Sequence, residues 1–392
     1  MTWLDLTSGD RDRMRRVLDL FNEQGTIDEM GLGSLRDALS DALFPGTSSI
    51  QTRLRYMLFL PWMYQDLESR RLGSEQVAQA ARKAEISLID SLMNSEADGV
   101  IGARSRESLR RLPSAVYWSG LVRWGIFMHQ QSQGWYHTNF VELTNKRGGV
   151  GRPDDPGKDW SREPNWHPQL PCAPSSFPKE ASFKLTSNEA GFLQGRIMEL
   201  CNGSLLAWLA QEGSETPADS FWEDPDVRRA PSGVVELVKL ARRFSLHVEG
   251  MPLLYNLLLA EQCKQDGEYL VEQYHMELAD WEGREAKEAP FDPNVLWQFV
   301  ACRPTRLPHP QRHFVENWSR RISKIDANAV GKDIKLRRLI AERERQLKGG
   351  RARLVNRARL LDWNGKVGVG RMDFRWFRVK QLLCDLHQGL TA

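Results

Sequence analysis

The sequence predicts a mainly α-helical protein. Apolar residues recur three and four positions apart over most of the 392 residues, as expected for helices that bury one face. These stretches end at Pro or Gly and restart after Ser, Thr or Asp, which cap helix N-termini. Hydrophobic residues make up 41% and charged residues 27%, as in an ordinary globular chain. Because one core rarely exceeds about 250–300 residues, we expect two or three domains.

The first predicted region covers residues 1–143. Helices are predicted over Asp10–Phe21 and Leu35–Leu43, and the second stops at Pro45-Gly46. A helix over Ser48–Leu60 then completes a helix-turn-helix spacing, in which the start of this last helix would meet a DNA groove. The polar side chains at that start are secondary candidates for nucleic-acid binding: Gln51, Arg53 and Arg55. The apolar continuation of the helix also fits a buried core helix, and both interpretations remain open.

The second predicted region, residues 144–185, is a Pro/Gly-rich loop or linker. Turn-forming residues fill Asn145–Gly157, and prolines continue at 164, 168, 171, 174 and 178. The helical spacing of apolar residues vanishes here. Loops of this length in compact proteins are usually functional or mobile.

The third predicted region, residues 186–392, is helical and ends in a basic segment. Its main predicted helices include Pro252–Trp281, Arg312–Ile325 and Lys332–Lys348. Lys366–Met372, with three glycines nearby, predicts a small hairpin or a tight loop. Asp373 is then the predicted N-cap of a final helix that ends at Gly389.

Charge is unevenly distributed along the chain. Residues 318–380 contain nineteen Lys or Arg and six Asp or Glu, a local charge of +13, although the whole chain carries +3. A basic segment on an acidic body is typical of a polyanion-binding surface. The alternative is internal neutralisation by Glu261–Glu288, which holds nine acidic residues.

Aromatic residues alternate with arginines in the C-terminal part of this basic segment. Such alternation is typical of surfaces that stack bases and hold phosphates, and equally of internal cation–π pairs. The predicted nucleic-acid-binding residues are Arg351, Arg353, Arg357, Arg359, Trp363, Lys366, Arg371, Arg375, Trp376 and Arg378.

The sequence contains no recognisable catalytic motif, and we predict no cofactor and no metal site. There is no phosphate-binding GxxxxGK[ST], no GxSxG and no HExxH pattern. His309 and His313 are four residues apart, but a zinc site would need further ligands at matching spacing. The five cysteines are scattered, and we see no secretory signal or membrane-spanning stretch, so we expect a cytoplasmic protein without membrane contact.

Three segments taken together resemble an uncharacterised bacterial family, a domain of unknown function of similar length. They are Leu43–Trp62, Gly99–Gly102 with Arg111–Leu121, and Asp373–Leu390. The resemblance implies no activity and no catalytic residue. Its loose association with mobile-element and anti-phage gene neighbourhoods implies a nucleic-acid task and partner proteins.

These observations predict a non-catalytic nucleic-acid-binding subunit of a bacterial defence or mobile-element system. Its partners would be nucleic acid, DNA in preference to RNA, and other protein subunits. One alternative is a protein–protein scaffold or adaptor with internally neutralised charge. A second alternative is a nuclease whose carboxylates converge only in three dimensions.

Overall fold

The computed structural model describes residues 28–70, 72–95, 98–145, 164–214, 217–263, 267–303, 308–326 and 328–392. Over these ranges the chain forms α-helices and short 3-10 turns but no strand, which confirms the mainly α prediction. The predicted helix Asp10–Phe21 lies outside them. The α-helices are α1 (Gly33–Leu43), α2 (Tyr56–Ser69), α3 (Ser74–Ser95), α4 (Pro113–Arg123), α5 (Gln133–Thr138), α6 (Phe140–Asn145), α7 (Ser187–Leu200), α8 (Leu205–Glu212), α9 (Ser232–Gln262), α10 (Gly267–Glu285), α11 (Pro293–Ala301), α12 (His309–Ile322), α13 (Ile334–Lys348), α14 (Arg357–Leu361) and α15 (Trp376–Leu390).

The chain folds into two compact units, and each is built from two separated stretches of sequence. Unit 1 contains the described residues up to 39 and residues 239–374, whereas unit 2 contains residues 40–238 and 375–392. The predicted division at 143 and 185 follows composition and stays a prediction. Of the predicted loop, residues 146–163 lie outside the described ranges, and residues 164–185 form turns.

Unit 2 surrounds the apolar helix α2, whose residues Tyr56–Tyr64 are all buried. This helix begins at Tyr56, so Gln51, Arg53 and Arg55 precede it and do not form its first turn as predicted. The reason is long-range hydrogen bonding. The Tyr117 hydroxyl accepts the backbone N–H groups of Thr52 and Arg53, and the Asp385 carboxylate accepts that of Leu54. These bonds hold the backbone in place of a helical turn.

Unit 1 is built on the C-terminal part of α9 and on α10 to α14. Trp281 of α10 and Trp318 of α12 lie 5.9 Å apart, and their indole N–H groups donate to the backbone carbonyls of Leu246 and His247. Both indoles are therefore buried with their polar atoms satisfied. This pairing fixes α10 and α12 against α9 and leaves the outer faces of α12 and α13 in solvent.

The segment Lys366–Met372 is a loop, and the alternative of a hairpin is not confirmed. Its flanking and internal glycines Gly365, Gly368 and Gly370 have positive φ angles of 92°, 63° and 117°. The buried Asn256 side chain accepts the Val367 N–H and donates to the Val367 carbonyl, so no facing strand is needed. The final helix α15 has Arg375, not the predicted Asp373, at its N-cap position.

Candidate nucleic-acid interface

Four of the predicted binding residues are exposed on unit 1. The side chains of Arg351, Arg357 and Lys366 make no hydrogen bond or ion pair with any residue that the structure describes. Arg359 faces Asp362 at 3.3 Å, an exposed pair that solvent screens strongly. These four side chains remain accessible to a polyanion.

Arg353 belongs instead to a buried polar network. Its guanidinium lies 3.1 Å from Glu29, its backbone N–H donates to Glu344 at 2.8 Å, and Lys348 pairs with both carboxylates. Burial alone would raise the pKa of Glu344, but hydrogen bonds from Tyr255 and two backbone N–H groups hold that pKa below its usual range. Arg353 therefore stabilises the fold of unit 1.

Arg371 and the two predicted tryptophans also make internal contacts. Arg371 is half-buried and donates to the Arg242 carbonyl at 2.9 Å. Trp363 is 8% exposed and donates its indole N–H to Asn256, while Trp376 is 2% exposed and donates to the Ala218 carbonyl. Neither indole presents a face on which a base can stack.

The remaining predicted residues lie in unit 2, where local acceptors occupy them. Arg375 donates to Asp41 at 2.6 Å and to the Thr47 carbonyl at 2.8 Å, and Arg378 donates to the Ser49 carbonyl at 3.1 Å. The predicted site residues are thus divided between the two units.

The secondary candidates before α2 are part of the unit 2 core. Gln51 is fully buried and donates to the Gly46 carbonyl. Arg53 pairs with Asp385 at 3.0 Å, and Arg55 pairs with Glu189 at 2.7 Å. Each arginine also lies over an aromatic ring, so their cation–π contacts are internal.

A basic surface that sequence reasoning did not select lies between α12 and α13. Here a groove of about 400 Å³ runs between the exposed faces of the two helices. We call it the cationic groove, defined by the basic residues of its lining: Arg320, Arg321, Lys324, Lys335 and Arg338.

The packing of α12 and α13 explains why these cations face outward. Phe314, Val315 and Trp318 of α12 are buried, as are Leu336 and Ile340 of α13. With 3.6 residues per turn, the residues on the opposite sides of both helices must face solvent. Because those opposite sides are rich in Lys and Arg, the groove between them is cationic.

Two of the five groove cations have partners. Arg320 donates to Asn317 at 2.8 Å, and Arg321 pairs with Asp333, the N-cap of α13, through a 3.0 Å contact from Nε. The Arg321 guanidinium holds the pKa of Asp333 below its usual range. Lys324, Lys335 and Arg338 are exposed and make no side-chain hydrogen bond or ion pair within the described ranges. The groove therefore keeps at least three uncompensated positive charges.

A second cavity of about 690 Å³ continues along the same two helices. It shares Asn317, Leu339 and Glu342 with the cationic groove. We call it the side pocket, and the other residues that line it include His309, Arg312, His313, Phe314 and Gln346. Arg312 is paired with Glu316 at 2.8 Å, so the side pocket is less positive than the cationic groove.

The acidic stretch Glu261–Glu288 takes few of its partners from the basic segment. Glu285 pairs with Arg243 and Glu288 with Arg242, both from α9. Arg337–Glu261 is an ion pair that joins the acidic stretch to residues 318–380, and Arg371 helps to lower the pKa of Glu288. Most of the positive charge on α13 is therefore not neutralised by this stretch.

One buried cluster has the connectivity of a hydrolase triad. His247 lies 2.7 Å from Glu285 through Nδ1 and 2.8 Å from the Ser319 hydroxyl through Nε2. All three residues are buried, and none lines the cationic groove or the side pocket. Burial lowers the pKa of His247, so a neutral ring donates to Glu285. The cluster links α9, α10 and α12 as a core network.

Other functional features are absent from the part of the chain that the structure describes. No group of three or more His, Cys, Asp or Glu side chains is placed to hold a metal ion there. No described helix is long and apolar enough to cross a membrane. His309 and His313 line the side pocket without a third ligand among the described residues.

The signal for the cationic groove was present in the sequence. Its five cations lie inside the basic segment 318–380. Four of them are on two helices whose existence is predicted, and Lys324 is in the turn that follows α12. Choosing binding residues by the alternation of arginines with aromatic residues favoured residues 351–378. In the structure, however, most of the aromatic residues beside these arginines are buried. A helical projection of Arg312–Ile325 and Lys332–Lys348 would have placed the groove cations opposite the apolar faces.

Comparison with known sequences identifies the family. A family model described as a family of unknown function (DUF6361) matches residues 1–389, so the chain belongs to this family. This confirms the resemblance seen in the sequence. Comparisons with curated proteins and with solved structures give no match.

Proposed function

We propose that this protein is a non-catalytic nucleic-acid-binding protein that holds the phosphate backbone in the cationic groove. The observation that carries the proposal is the set of three exposed cations without partners: Lys324, Lys335 and Arg338. Like charges that line one groove repel one another and destabilise the fold, so a bound polyanion would compensate them.

Backbone binding here is largely independent of base stacking. The two tryptophans expected to stack are buried, and the groove cations are suited to phosphate oxygens. Arg351, Arg357 and Lys366 extend the exposed positive charge of unit 1. We therefore expect affinity to depend strongly on salt concentration.

The proposal includes DNA in preference to RNA as the ligand, and a place beside other subunits in a bacterial defence or mobile-element system. The support for this setting is the resemblance to the family and not a feature of the groove.

Three matched charge-reversal variants test the proposal, each with three exposed cations replaced by Glu. The groove variant changes Lys324, Lys335 and Arg338. The second variant changes Arg351, Arg357 and Lys366. The control changes Arg104, Arg110 and Arg111 of unit 2, which are also exposed without described partners. Arg353 and Arg375 are avoided because their ion pairs support the fold.

Binding of labelled DNA and RNA, single-stranded and duplex, is measured by fluorescence anisotropy at several salt concentrations. We expect the groove variant to lose about a hundredfold in affinity and to flatten the log–log salt slope by about 2 to 3. The second variant should lose less, and the control should match the wild type. If the groove variant and the control lose the same affinity, the loss follows from net charge alone, and the proposal is contradicted.

A second candidate function, a protein–protein adaptor, is favoured by one observation on α10. Tyr269 and Met276 are 73% and 62% exposed and lie seven residues apart, on the same face of the helix. Exposed apolar side chains at this spacing suit a partner helix. If this is the main function, replacing both with Ser should abolish stoichiometric co-purification of a partner at high salt. The same change at the exposed Leu361 should not.

A further inference from the structure

Glu342 is an acidic residue in a surface that, if it bound phosphate alone, would be expected to contain only basic or neutral residues. It lies on α13 at the junction of the cationic groove and the side pocket, and it lines both. Its carboxylate is exposed and makes no ion pair or hydrogen bond with any residue in the described ranges, although Arg338 precedes it by one helical turn. A free carboxylate beside a phosphate track repels the ligand, unless it contacts a donor group on that ligand.

From this placement we infer that Glu342 contacts an unpaired base, and that the ligand of the groove is a single strand whose guanines enter the side pocket. The inference rests on the proposed function, because phosphate binding in the cationic groove positions the strand.

The chemistry of the junction fits the Watson–Crick edge of guanine. That edge presents two neighbouring N–H donors, at N1 and N2, to the two oxygens of one carboxylate, and an acceptor at O6. Asn317 lies on α12 and also lines both cavities. Its Oδ1 accepts from Arg320 at 2.8 Å, so its amide N–H donors remain for O6. Glu342 and Asn317 together supply an acceptor pair and a donor.

The side pocket has the size and lining for a base. Its volume of about 690 Å³ lies within the range of about 300–1,000 Å³ typical of small-ligand sites. Leu339 provides apolar surface, while His313 and Gln346 provide polar groups. In a duplex the Watson–Crick edge is already occupied, so only an unpaired base can make these contacts.

The test uses three single-stranded DNA probes with eleven linking phosphates each, d(TTG)4, d(TTI)4 and dT12. The fourth probe is the duplex of d(TTG)4 with its complement, which has eleven linking phosphates in each strand. Inosine lacks only the N2 amino group of guanine. The wild-type protein should bind d(TTG)4 most tightly, d(TTI)4 less tightly and dT12 least among the single strands, with the duplex also weaker than d(TTG)4.

The variant E342Q removes the negative charge and keeps the shape of the side chain. We expect it to bind d(TTG)4 about tenfold more weakly, the loss of one charge-assisted contact. It should bind dT12 slightly more tightly, because the repulsion is gone. The control E272Q removes another exposed carboxylate without a described partner, from α10, and should change neither affinity.

Two contrary results have different meanings. If E342Q binds all four probes more tightly by the same factor, Glu342 reads no base, and the inference is overturned while phosphate binding in the groove stands. If no probe binds the wild-type protein in a salt-dependent manner, the proposed function itself is overturned, and this inference is overturned with it.

Discussion

The paired arginines of the unit 2 core differ from the groove cations of unit 1 in the groups that face them. In unit 2, Arg53, Arg55 and Arg375 each face a carboxylate of the same unit, at 3.0, 2.7 and 2.6 Å. In unit 1, Lys324, Lys335 and Arg338 face none in the described ranges. The density of Lys and Arg along a sequence therefore does not show which of them form a binding surface. What matters is whether the fold brings a carboxylate or carbonyl to each cation.

The largest expected effect is the loss of a buried pair in unit 2. Arg55 is buried, bonds Glu189 and the Ser182 carbonyl, and lies over Phe59. Its replacement by Ala leaves the Glu189 charge uncompensated, so we expect the free energy of unfolding to fall by about 3 to 5 kcal/mol. Urea denaturation followed by circular dichroism measures this loss.

The matched change in unit 1 is Arg338→Ala. Since this side chain is exposed and unpaired among described residues, its loss should change stability by no more than about 0.5 kcal/mol. If both variants lose the same stability, the proposed difference between the buried, paired Arg55 and the exposed, unpaired Arg338 is wrong.

The second effect concerns a buried carboxylate in unit 2. Glu85 of α3 is fully buried and accepts the N–H and hydroxyl of Ser114, so it caps the start of α4. Burial raises the pKa of Glu85 from 4.5 to about 7. The folded state therefore keeps a proton that the unfolded state releases, and unfolding free energy falls as pH rises from 4.5 through 7, by about 3 kcal/mol.

The variant Glu85→Gln tests this pH dependence. It should flatten the change in stability between pH 5 and 8 and should be more stable than the wild type at pH 8. Denaturation midpoints at three pH values measure both. A variant with the wild-type slope would show that another group titrates in this range.

The third effect has the opposite sign and lies in unit 1. Burial lowers the pKa of His247, and hydrogen bonds from His247 and Arg243 hold the pKa of Glu285 below its usual range, although burial alone would raise it. At neutral pH the neutral His247 and the ionised Glu285 therefore both contribute to the stability of the folded state. The first is lost as pH falls below the ordinary histidine value of 6.5, and the second as pH falls below 4.5.

We therefore expect acid to loosen unit 1 and to spare the Glu85 region of unit 2. Hydrogen exchange followed by mass spectrometry at pH 7 and pH 5.5, corrected for intrinsic rates, measures unit 1 and the Glu85 region of unit 2 separately. Peptides from α9 and α12 should lose protection at pH 5.5, whereas peptides from α3 and α4 should not. Loss of protection in both sets to the same extent would contradict opposite signs.

Helix existence was predictable because it depends on local spacing. The predicted helices Arg312–Ile325 and Lys332–Lys348 correspond to His309–Ile322 and Ile334–Lys348, within three residues at each end. The start of α2 was not predictable, since the Tyr117 hydroxyl and the Asp385 carboxylate that bind its preceding backbone lie far along the chain.

The candidate site was predictable only at the level of a charged segment. Arg53 and Asp385 are 332 positions apart, and Arg353 and Glu29 are 324 apart, so no local pattern reveals that these cations are occupied. The buried state of Trp363 likewise depends on Asn256, 107 positions away. Long-range partners decide which of many similar cations remain available, and spacing carries no information about them.

The smallest expected effect separates two neighbouring arginines on α14. Arg357 is the first residue of this short helix and is exposed without a described partner, whereas Arg359 pairs with Asp362 at 3.3 Å. Arg357→Glu places a negative charge at a helix N-terminus, which should stabilise the protein by a few tenths of a kcal/mol. Arg359→Glu puts two carboxylates one turn apart and should destabilise it by about 0.5 kcal/mol, since exposed pairs are strongly screened.

Differential scanning calorimetry of both variants at low salt gives the sign of each change in stability. Both changes should become smaller at high salt because the interactions are electrostatic. Equal shifts of the same sign would mean that net charge, and not position on the helix, governs this exposed face of unit 1.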